Sequence, residues 1–281
     1  MNRILITGAS GNIGVPLVQA LQTRGADFEI MRSRSDTGSA ARVASFADKP
    51  ALEKAFAGIH TLFVLLPLVP DKVELATNVA RAAVDAGVKH IVRSSGAGAD
   101  PQAAYALPRL QGTIDRIFQD TGIATTFLRP ATFMQNYAGF MAGMLKAGTV
   151  YGATANAAQS LIDVRDVAAV AANVLTNPQA HAGKAYTLTG EELLTDSQRM
   201  QIFSDVLGRD IRFAEVSQEA GRAAIEQMGL PGPVVEWLAS LNALVAAGHA
   251  GAISPDVQNL LGRAPVGFAQ FVRDYQAAWQ L

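Results

Sequence analysis

Three glycines spaced three residues apart come directly after a short apolar segment near the start of the chain. Ile4-Leu5-Ile6 leads into Thr7 and then Gly8, Gly11 and Gly14. An apolar segment, a glycine turn and an amphipathic segment in this order predict a strand, a tight loop and a helix. Such glycines allow a sharp turn and a close approach of the backbone to a pyrophosphate at the helix N-terminus. We therefore predict a dinucleotide site, with a purely structural turn as the alternative, and expect contacts from Gly8, Ser10, Gly11, Asn12, Ile13 and Gly14.

Composition and charge argue against several classes of protein. A chain of 281 residues can bury a large core, but its most apolar segment, Thr61 to Leu66, is far shorter than the roughly 20 residues that span a bilayer. The absence of cysteine excludes disulfides and cysteine-ligated metal sites, and the four histidines lack the spacing of metal ligands. A formal net charge of −1 gives no long-range attraction for nucleic acid or an anionic membrane. We expect a soluble, cytoplasmic protein that acts on a small molecule without a metal.

Apolar segments alternate with amphipathic ones through the first half of the chain. Strands are predicted at 4–7, 28–31, 43–46, 61–66, 90–93 and 125–128, and helices at 12–23, 51–57, 72–86 and 110–119. This alternation is typical of an α/β fold in which right-handed crossovers build a parallel sheet covered on both faces. The first half is therefore predicted to form a doubly wound, parallel-sheet Rossmann fold.

The second half loses this alternation and becomes mostly helical. Helices are predicted at 133–145, 164–175, 197–207, 218–228, 234–247 and 268–279, with strands at 185–188 and 211–216. We place a boundary near residue 190. It divides the chain into a dinucleotide-binding domain over residues 1–190 and a smaller, mostly helical substrate-capping region over residues 191–281.

The end of the second predicted strand indicates which dinucleotide is bound. Sites that prefer NAD usually carry an acidic residue there, which accepts a hydrogen bond from the ribose 2′-hydroxyl. Here the strand is followed by Arg32-Ser33-Arg34-Ser35. Two guanidinium groups and two hydroxyls suit a 2′-phosphate through charge-assisted hydrogen bonds. Arg32 and Arg34 therefore favour NADP, while NAD and a solvated basic loop stay open as alternatives.

Further short motifs follow in an order and spacing that cover essentially the whole chain. Besides the glycine segment they are Ala57-Gly58-Ile59, Ala86 to Val92, Thr126 to Pro130, Phe133 to Asn136, Ile162 to Ala168 and Gly262 to Pro265. Together they resemble the NmrA-like atypical short-chain dehydrogenase/reductases. The resemblance implies an NADPH-dependent reductase of azo dyes, quinones or triphenylmethane dyes that uses no flavin, or a non-catalytic dinucleotide sensor that regulates a partner protein. It also implies a homodimer.

The same resemblance implies which loops border the cofactor. They are the loops after the fourth, fifth and sixth predicted strands, the last of them near the nicotinamide. This agrees with the rule that ligands bind beyond the carboxyl ends of the strands in a doubly wound sheet. Pro67 and Pro130, which follow the fourth and sixth predicted strands, could instead simply terminate those strands. The residues expected at the cofactor are Leu66, Pro67, Ser94, Gly96, Pro130 and Phe133.

The proton donor of ordinary short-chain dehydrogenases has only a poor counterpart in this sequence. Their Tyr-x-x-x-Lys pair would be matched by Tyr105 and Arg109, but Pro108 is expected to break the helix between them. Tyr105, Ser95 and Tyr137 are the candidate catalytic residues, each with a structural role as the alternative. Without a strong proton donor, the favoured reaction is hydride transfer to a flat conjugated electrophile: an azo compound or quinone first, an imine or triarylmethane dye next.

The segment after Pro130 is expected to shape the substrate site. Its apolar residues fall on one face of the predicted helix, although such a stripe is also typical of a protein core: Phe133, Met134, Tyr137, Phe140, Met141 and Met144. Substrate contacts are predicted from Gln135, Asn136, Tyr137, Met228 and Trp237, while His249 is expected in a surface loop. The sequence thus predicts an NADPH-dependent reductase, with an NADP-sensing regulator as the alternative.

Overall fold

The computed structural model of this chain describes residues 3–34 and 41–280, which form eleven strands and eleven α-helices. The strands are β1 (Ile4–Ile6), β2 (Phe28–Arg32), β3 (Arg42–Val43), β4 (Thr61–Val64), β5 (His90–Ser94), β6 (Ala124–Pro130), β7 (Thr132–Phe133), β8 (Thr149–Gly152), β9 (Leu161–Ile162), β10 (Ala185–Leu188) and β11 (Arg212–Glu215). The helices are α1 (Gly14–Thr23), α2 (Lys49–Phe56), α3 (Lys72–Asp85), α4 (Ala106–Gln119), α5 (Ala142–Lys146), α6 (Val164–Thr176), α7 (Asp196–Leu207), α8 (Gln218–Glu226), α9 (Gly232–Ala246), α10 (Asp256–Leu261) and α11 (Phe268–Asp274).

A seven-stranded sheet with the order β10-β6-β5-β4-β1-β2-β3 organises the first half of the chain and takes in β10 from the second half. The ladders of β1 with β2 and β4, of β4 with β5 and of β5 with β6 are parallel. Successive strands are added in opposite directions on the two sides of β1, which is the doubly wound arrangement. The predicted Rossmann fold is confirmed. Because the strands are parallel, the carboxyl ends of β1, β2, β4, β5 and β6 meet at one edge of the sheet.

The central strands of this sheet are buried on both faces. Leu5, Leu62 and Ile91 lie opposite one another in β1, β4 and β5, and all three are fully buried. Continuous apolar strands of this kind are expected where helices cover a parallel sheet on both sides. Among the helices of the described residues, none has both the length and the apolar character needed to cross a bilayer.

The chain folds into two compact units that interleave along the sequence. The first comprises Met1–Ala104, Pro108–Pro130 and Val167–Thr187, and the second comprises Tyr105–Leu107, Ala131–Asp166 and Leu188–Leu281. The segment 131–166 joins the second unit because β8, which lies within it, pairs with β11. The predicted boundary near residue 190 places that segment in the first domain instead. That one part of the chain binds the dinucleotide and the other covers the substrate stays a prediction.

An aromatic cluster forms the core of the second unit. Phe203 packs edge-on against Phe268 and Trp279, with ring centroids 5.5 and 4.8 Å apart. All three side chains are almost completely buried, and edge-to-face geometry is the favourable arrangement for aromatic pairs. Met134 and Tyr137 belong to the same cluster. The alternative that residues of the predicted apolar stripe belong to the protein core is therefore confirmed for Met134 and Tyr137.

The single helix predicted at 133–145 is wrong. Phe133 lies in β7 opposite Ile162, Met134–Asn136 is a 3-10 turn, and only Ala142–Lys146 is α-helical. Strand pairing and tertiary packing here override the local helical pattern. One consequence is that Phe140, expected on the buried stripe, is 63% exposed.

His90, the first residue of β5, is a buried histidine that its burial keeps neutral. Its Nε2 lies 2.9 Å from Thr126 Oγ1, and that hydroxyl donates to the His181 carbonyl oxygen at 2.7 Å. Since the hydroxyl hydrogen is already used, Nε2 donates its own proton to Oγ1. Burial, reinforced by His181 and His60, lowers the pKa of His90 from 6.5 to about 4.

Acidification should therefore destabilise the protein through His90. The unfolded chain takes up this proton near pH 6.5 and the folded chain only near pH 4, so stability falls as the pH falls through that window, by on the order of 3 kcal/mol. In urea unfolding from about pH 7 to about pH 4, His90→Gln should lose much of the wild-type pH dependence. His249→Gln, at an exposed position, should retain it. Equal acid losses in wild type and His90→Gln would contradict this origin.

Candidate functional site

The glycine segment forms a tight loop between β1 and α1. Gly8 has a φ of 69°, in the left-handed region that glycine favours, and the Gly11 N–H donates to the Gly8 carbonyl at 3.0 Å. A Cβ on Gly14 would lie 2.1 Å from that carbonyl oxygen, so only glycine fits at the start of α1. A Cβ on Gly11 would meet the same oxygen at 3.4 Å, an ordinary contact. The protein's own packing thus leaves room at Gly11, as expected where a ligand approaches the backbone.

Thr7 ties this loop to the end of β4. Its Oγ1 donates to the Phe63 carbonyl at 3.0 Å and accepts from the Leu65 N–H at 2.9 Å. Leu65 in turn packs on Gly8, where a Cβ would come within 3.0 Å of the leucine Cδ2. Ile13 is buried beneath the loop, whereas Ser10 and Asn12 are exposed on it. The loop is therefore held rigidly with its polar side open, at the N-terminus of a helix where phosphates bind.

The two basic residues of the predicted 2′-phosphate site lie at the carboxyl end of β2, the strand beside β1. Arg32 is the last residue of β2 and is half-buried, and Arg34 is exposed beyond it. The Arg32 carbonyl accepts a hydrogen bond from the Ala44 N–H at 3.0 Å, which fixes the strand end against the following segment. Ser35 lies outside the described residues. Arg32 is thus placed at the same sheet edge as the glycine loop.

The loops after β4, β5 and β6 bring the other predicted cofactor residues of the first unit to this edge. The Ser95 and Ala97 N–H groups donate to the Leu128 and Pro130 carbonyls at 2.7 and 2.9 Å, which holds the loop after β5 against β6. A Cβ on Gly96 would lie 3.3 Å from Gln111 Cγ, so α4 packs close to this loop. The residues concerned are Leu66, Ser94 and Pro130, all buried, with Gly96 half-buried and Pro67 exposed.

Ser95 places a buried hydroxyl without a hydrogen-bond partner at the carboxyl end of β5. The residue is 7% exposed, and its Oγ contacts no donor or acceptor. A buried hydroxyl left unpaired costs free energy and is rare in folded proteins. Its place between Ser94 and Gly96 suits a group whose partner is a ligand.

Arg93, in the middle of this edge, belongs to a buried ion network. Its Nη1 pairs with Asp115 Oδ1 and its Nη2 donates to Gln111 Oε1 at 2.7 Å. Arg129 donates to the other Asp115 oxygen from Nη2 at 3.1 Å and from Nε at 3.3 Å. Burial lowers the pKa of Arg93 to about 10, which leaves it charged at neutral pH. One carboxylate on α4 thus holds guanidinium groups from both β5 and β6. Nothing in the local sequence signals this pairing.

Lys72, the first residue of α3, is a second buried cation on this side of the sheet. It is 6% exposed, and burial and then the charge of Arg93 lower its pKa to about 8. Within the described residues no carboxylate pairs with its ammonium. The sequence pattern contains no signal for it, because a lysine at a helix start is usually solvated.

The Tyr105 and Arg109 side chains each have other partners. The Tyr105 ring lies just before α4 with its centroid 5.7 Å from that of His249, which is exposed as predicted. Arg109 Nη1 donates to the Ala103 and Ala104 carbonyls at 2.7 and 3.0 Å. The predicted helix break at Pro108 is wrong. It is the third residue of α4, where a missing N–H costs nothing because the first turn has no partner for it.

In the second unit, Gln135 is used inside the protein. Its Nε2 donates to Asp163 Oδ1 at 2.8 Å and its Oε1 accepts from the Val164 N–H at 3.0 Å. Asp163 is fully buried and also accepts from Arg165. These contacts join β7, the 3-10 turn and the start of α6. They favour a structural role for Gln135 over the predicted substrate contact.

Tyr137 is likewise buried in a polar cluster of the second unit. Its hydroxyl accepts from Arg199 Nε at 2.9 Å and lies 3.3 Å from Asp196 Oδ1, while Thr154 Oγ1 donates to the other Asp196 oxygen at 2.5 Å. Burial raises the pKa of Tyr137 to about 12. A phenol so enclosed and so weakly acidic is poorly placed to donate a proton. Its surroundings favour a structural role over the predicted catalytic one.

The remaining predicted residues of the second unit have accessible surface. Phe133 in β7, Asn136 in the 3-10 turn and Trp237 in α9 are half-buried, and Met228 after α8 is 51% exposed. The side chains of Asn136 and Met228 form no hydrogen bond that would commit them elsewhere in the described part of the chain. No cluster of three or more candidate metal ligands occurs in residues 3–34 and 41–280.

Comparison with known proteins agrees with this geometry. A family model described as the NmrA-like family matches residues 1–260. The chain belongs to this family. The NmrA-like chain is 31% identical to the NAD(P)H azoreductase of Xenophilus azovorans, over 98% of this chain and 99% of that relative. It is 33% identical to the (4-alkanoyl-5-oxo-2,5-dihydrofuran-3-yl)methyl phosphate reductase of Streptomyces griseus, with the same coverage.

Solved structures show the same fold over the full length of the chain. The NmrA-like chain superposes with a TM-score of 0.86 on the NADPH-dependent quinone oxidoreductase of Escherichia coli complexed with NADPH, at 26% identity over 96% of this chain and 99% of that one. The resemblance drawn from the sequence motifs is therefore confirmed at the level of family and fold.

Removing the Asp115 carboxylate should strongly destabilise the NmrA-like chain. Asp115→Asn would leave the buried Arg93 and the half-buried Arg129 without a counter-charge, a change that typically costs about 3–5 kcal/mol. Asp120→Asn is the matched control: it breaks an exposed pair with Arg116 and should cost less than about 1 kcal/mol. Urea unfolding of both variants measures the difference. Similar small losses would show that the network is not a stabilising element.

Proposed function

We propose that this protein is an NADPH-dependent, flavin-independent reductase that transfers hydride to a flat conjugated electrophile. An azo compound or quinone is the first choice of acceptor, and an imine or triarylmethane dye the next. The observation that carries the proposal is the carboxyl edge of the sheet, where the open glycine loop, Arg32 and the unpartnered Ser95 hydroxyl lie at the ends of β1, β2 and β5. The reductases similar to this chain support an NAD(P)H oxidoreductase in general.

The residues of the first unit fit NADP(H) as the cofactor. The Gly11 backbone and the N-terminus of α1 offer N–H groups and a positive dipole to the pyrophosphate. A Cβ at Gly14 would destroy this cradle. Arg32, with Arg34 beyond it, supplies guanidinium groups for the 2′-phosphate at the neighbouring strand. When bound, NADPH supplies a hydride, that is, a proton and two electrons, to the acceptor.

The nature of the acceptor follows from what the chain provides for the second proton. Arg109, at the position of the usual lysine, donates to the Ala103 and Ala104 carbonyls, and the Tyr137 hydroxyl is buried against Arg199. A conjugated, electron-poor acceptor needs little acid assistance, and its proton can come from water. Ser95 Oγ can donate a hydrogen bond to the atom on which negative charge develops. The protein then contributes chiefly orientation and exclusion of water.

Substrate contacts are proposed from the residues of the second unit that remain uncommitted. Asn136 offers an amide, Trp237 a half-buried ring and Met228 an exposed, adaptable thioether. Phe133 follows Pro130 by three residues and is proposed beside the nicotinamide. A flat aromatic acceptor suits such a set of apolar and weakly polar groups.

The cofactor preference can be tested at Arg32. Arg32→Ala should weaken NADPH binding by about 10- to 100-fold, the scale of one or two charge-assisted hydrogen bonds, and NADH binding by less than about twofold. Arg24→Ala, an exposed arginine that follows α1 at the opposite edge of the sheet, should change neither. Calorimetric titration of both dinucleotides measures the affinities. Equal losses for NADPH and NADH would show that Arg32 does not bind the 2′-phosphate.

The reaction itself can be tested with a panel of acceptors. Purified protein and NADPH are mixed with azo dyes, quinones, cyclic imines and triarylmethane dyes, and the nicotinamide absorbance is followed against protein-free controls. We expect turnover with at least one class. Gly14→Ala, which distorts the glycine loop, should abolish it. NADPH binding without turnover of any acceptor would contradict the reductase and favour a non-catalytic NADP-sensing regulator.

A further inference from the structure

The buried charge of Lys72 takes no part in the proposed hydride transfer. Its ammonium lacks a carboxylate partner within the described residues, although the residue is 6% exposed. Lys72 also begins α3, where the positive end of the helix dipole disfavours a cation. An uncompensated buried charge of this kind costs free energy and is typical of functional sites.

The charged groups around Lys72 leave this region with an excess of positive charge. Arg93 on β5 is the charge that acts on it directly, and behind Arg93 stand Arg129 on β6 and Asp115 on α4. Three cations thus share one carboxylate. Asp71, just before α3, and Glu74, in its first turn, are exposed to solvent. At the far end of α3, Asp85 pairs with Lys49 of α2, which also pairs with Glu53.

The sheet order places this charge on the nicotinamide side of the dinucleotide site. Val64 at the end of β4 pairs with Arg93, and Ser95 comes directly after β5, two residues beyond Arg93. The glycine loop for the pyrophosphate lies at β1 and Arg32 for the adenosine phosphate at β2. The other end of the dinucleotide therefore extends in the opposite direction, over β4, β5 and β6.

We propose that Lys72, together with Arg93, makes this site prefer the reduced dinucleotide over the oxidised one. The nicotinamide ring is neutral in NADPH and positively charged in NADP⁺, so a buried positive excess beside it weakens binding of the oxidised form alone. The proposal rests on the dinucleotide binding of the proposed function, and it is independent of whether any acceptor is turned over.

The preference is tied to the protonation state of Lys72. Burial, then Arg93, lowers the pKa of this residue to about 8, so its charge is present at neutral pH and is lost as the pH rises through that value. The dinucleotides share their phosphates, and the titration of those groups cancels when the two affinities are compared. Coupling between the nicotinamide charge and the lysine proton is reciprocal: one pKa unit of coupling corresponds to a tenfold change in relative affinity.

The test measures the ratio of the NADP⁺ and NADPH dissociation constants by calorimetry or by nicotinamide fluorescence, from about pH 7 to about pH 9.5. In the wild type the ratio should fall about tenfold over this range. Lys72→Met should show, at every pH, the low ratio that the wild type reaches only at the alkaline end of this range. Lys72→Arg, whose guanidinium stays charged, should keep the high ratio at every pH. Lys89→Met removes the same charge from an exposed position before β5, at the opposite sheet edge, and should behave as the wild type.

The outcomes separate this proposal from the proposed function. A pH-independent wild-type ratio, or a Lys72→Met variant that keeps both the wild-type ratio and its pH dependence, would overturn the role of Lys72 while leaving a reductase intact. Tight dinucleotide binding with the expected ratios but no turnover would overturn only the reductase. The wild-type titration needs no variant, so the proposal can be rejected even if Lys72→Met fails to fold.

Discussion

The carboxylate of Asp115 is the one interaction on which the rest of the first unit depends. It is almost fully buried and neutralises guanidinium groups from β5 and β6 at once, so moving α4 away from these strands would leave the buried Arg93 and the half-buried Arg129 without a counter-charge. Gly112, one turn earlier, sits so close to the loop after β5 that a Cβ would lie 2.1 Å from the Asp100 carbonyl carbon. Charge pairing and close packing together fix the loop that carries Ser95 and Gly96.

The candidate site is a consequence of that fixed edge and of strand order. Because β1 lies between β4 and β2, the glycine loop has the basic end of β2 on one side and the ends of β4, β5 and β6 on the other. Thr7 couples the glycine loop to the end of β4 through two hydrogen bonds. The N–H groups of Ser95 and Ala97 couple the loop after β5 to β6. Each loop is thus positioned by the backbone of its neighbour. A rigid edge of this kind can orient a long ligand with little loss of entropy on binding.

Features with a local signal could be predicted from the sequence, whereas those produced by distant contacts could not. Gly14 was predictable because the glycine spacing and its flanking segments lie within one stretch of chain, and the strands of the sheet were predictable from apolar segments between helices. Arg93 stands in an apolar strand, and its partner Asp115 lies 22 residues away on a helix. The segment after Pro130 has the spacing of a helix, yet Phe133 pairs with Ile162 in a strand. Tertiary pairing outweighs intrinsic propensity at such positions.

The distribution of charge gives the site a chemical direction. The buried carboxylates among the described residues, Asp115 in the first unit and Asp163, Asp166 and Asp196 in the second, are each paired with arginine, so they offer no free negative charge to a bound ligand. Because Lys72, Arg93 and Arg129 share the single carboxylate of Asp115, a positive excess remains on the proposed nicotinamide side. A positive field there raises the free energy of a cationic nicotinamide and lowers that of an anionic product on the acceptor. During hydride transfer these two effects oppose one another, whereas release of the oxidised cofactor is favoured by the destabilised nicotinamide charge. Discrimination between the two redox states would serve a reductase and a dinucleotide sensor alike, and binding of an acceptor is what would separate the two functions.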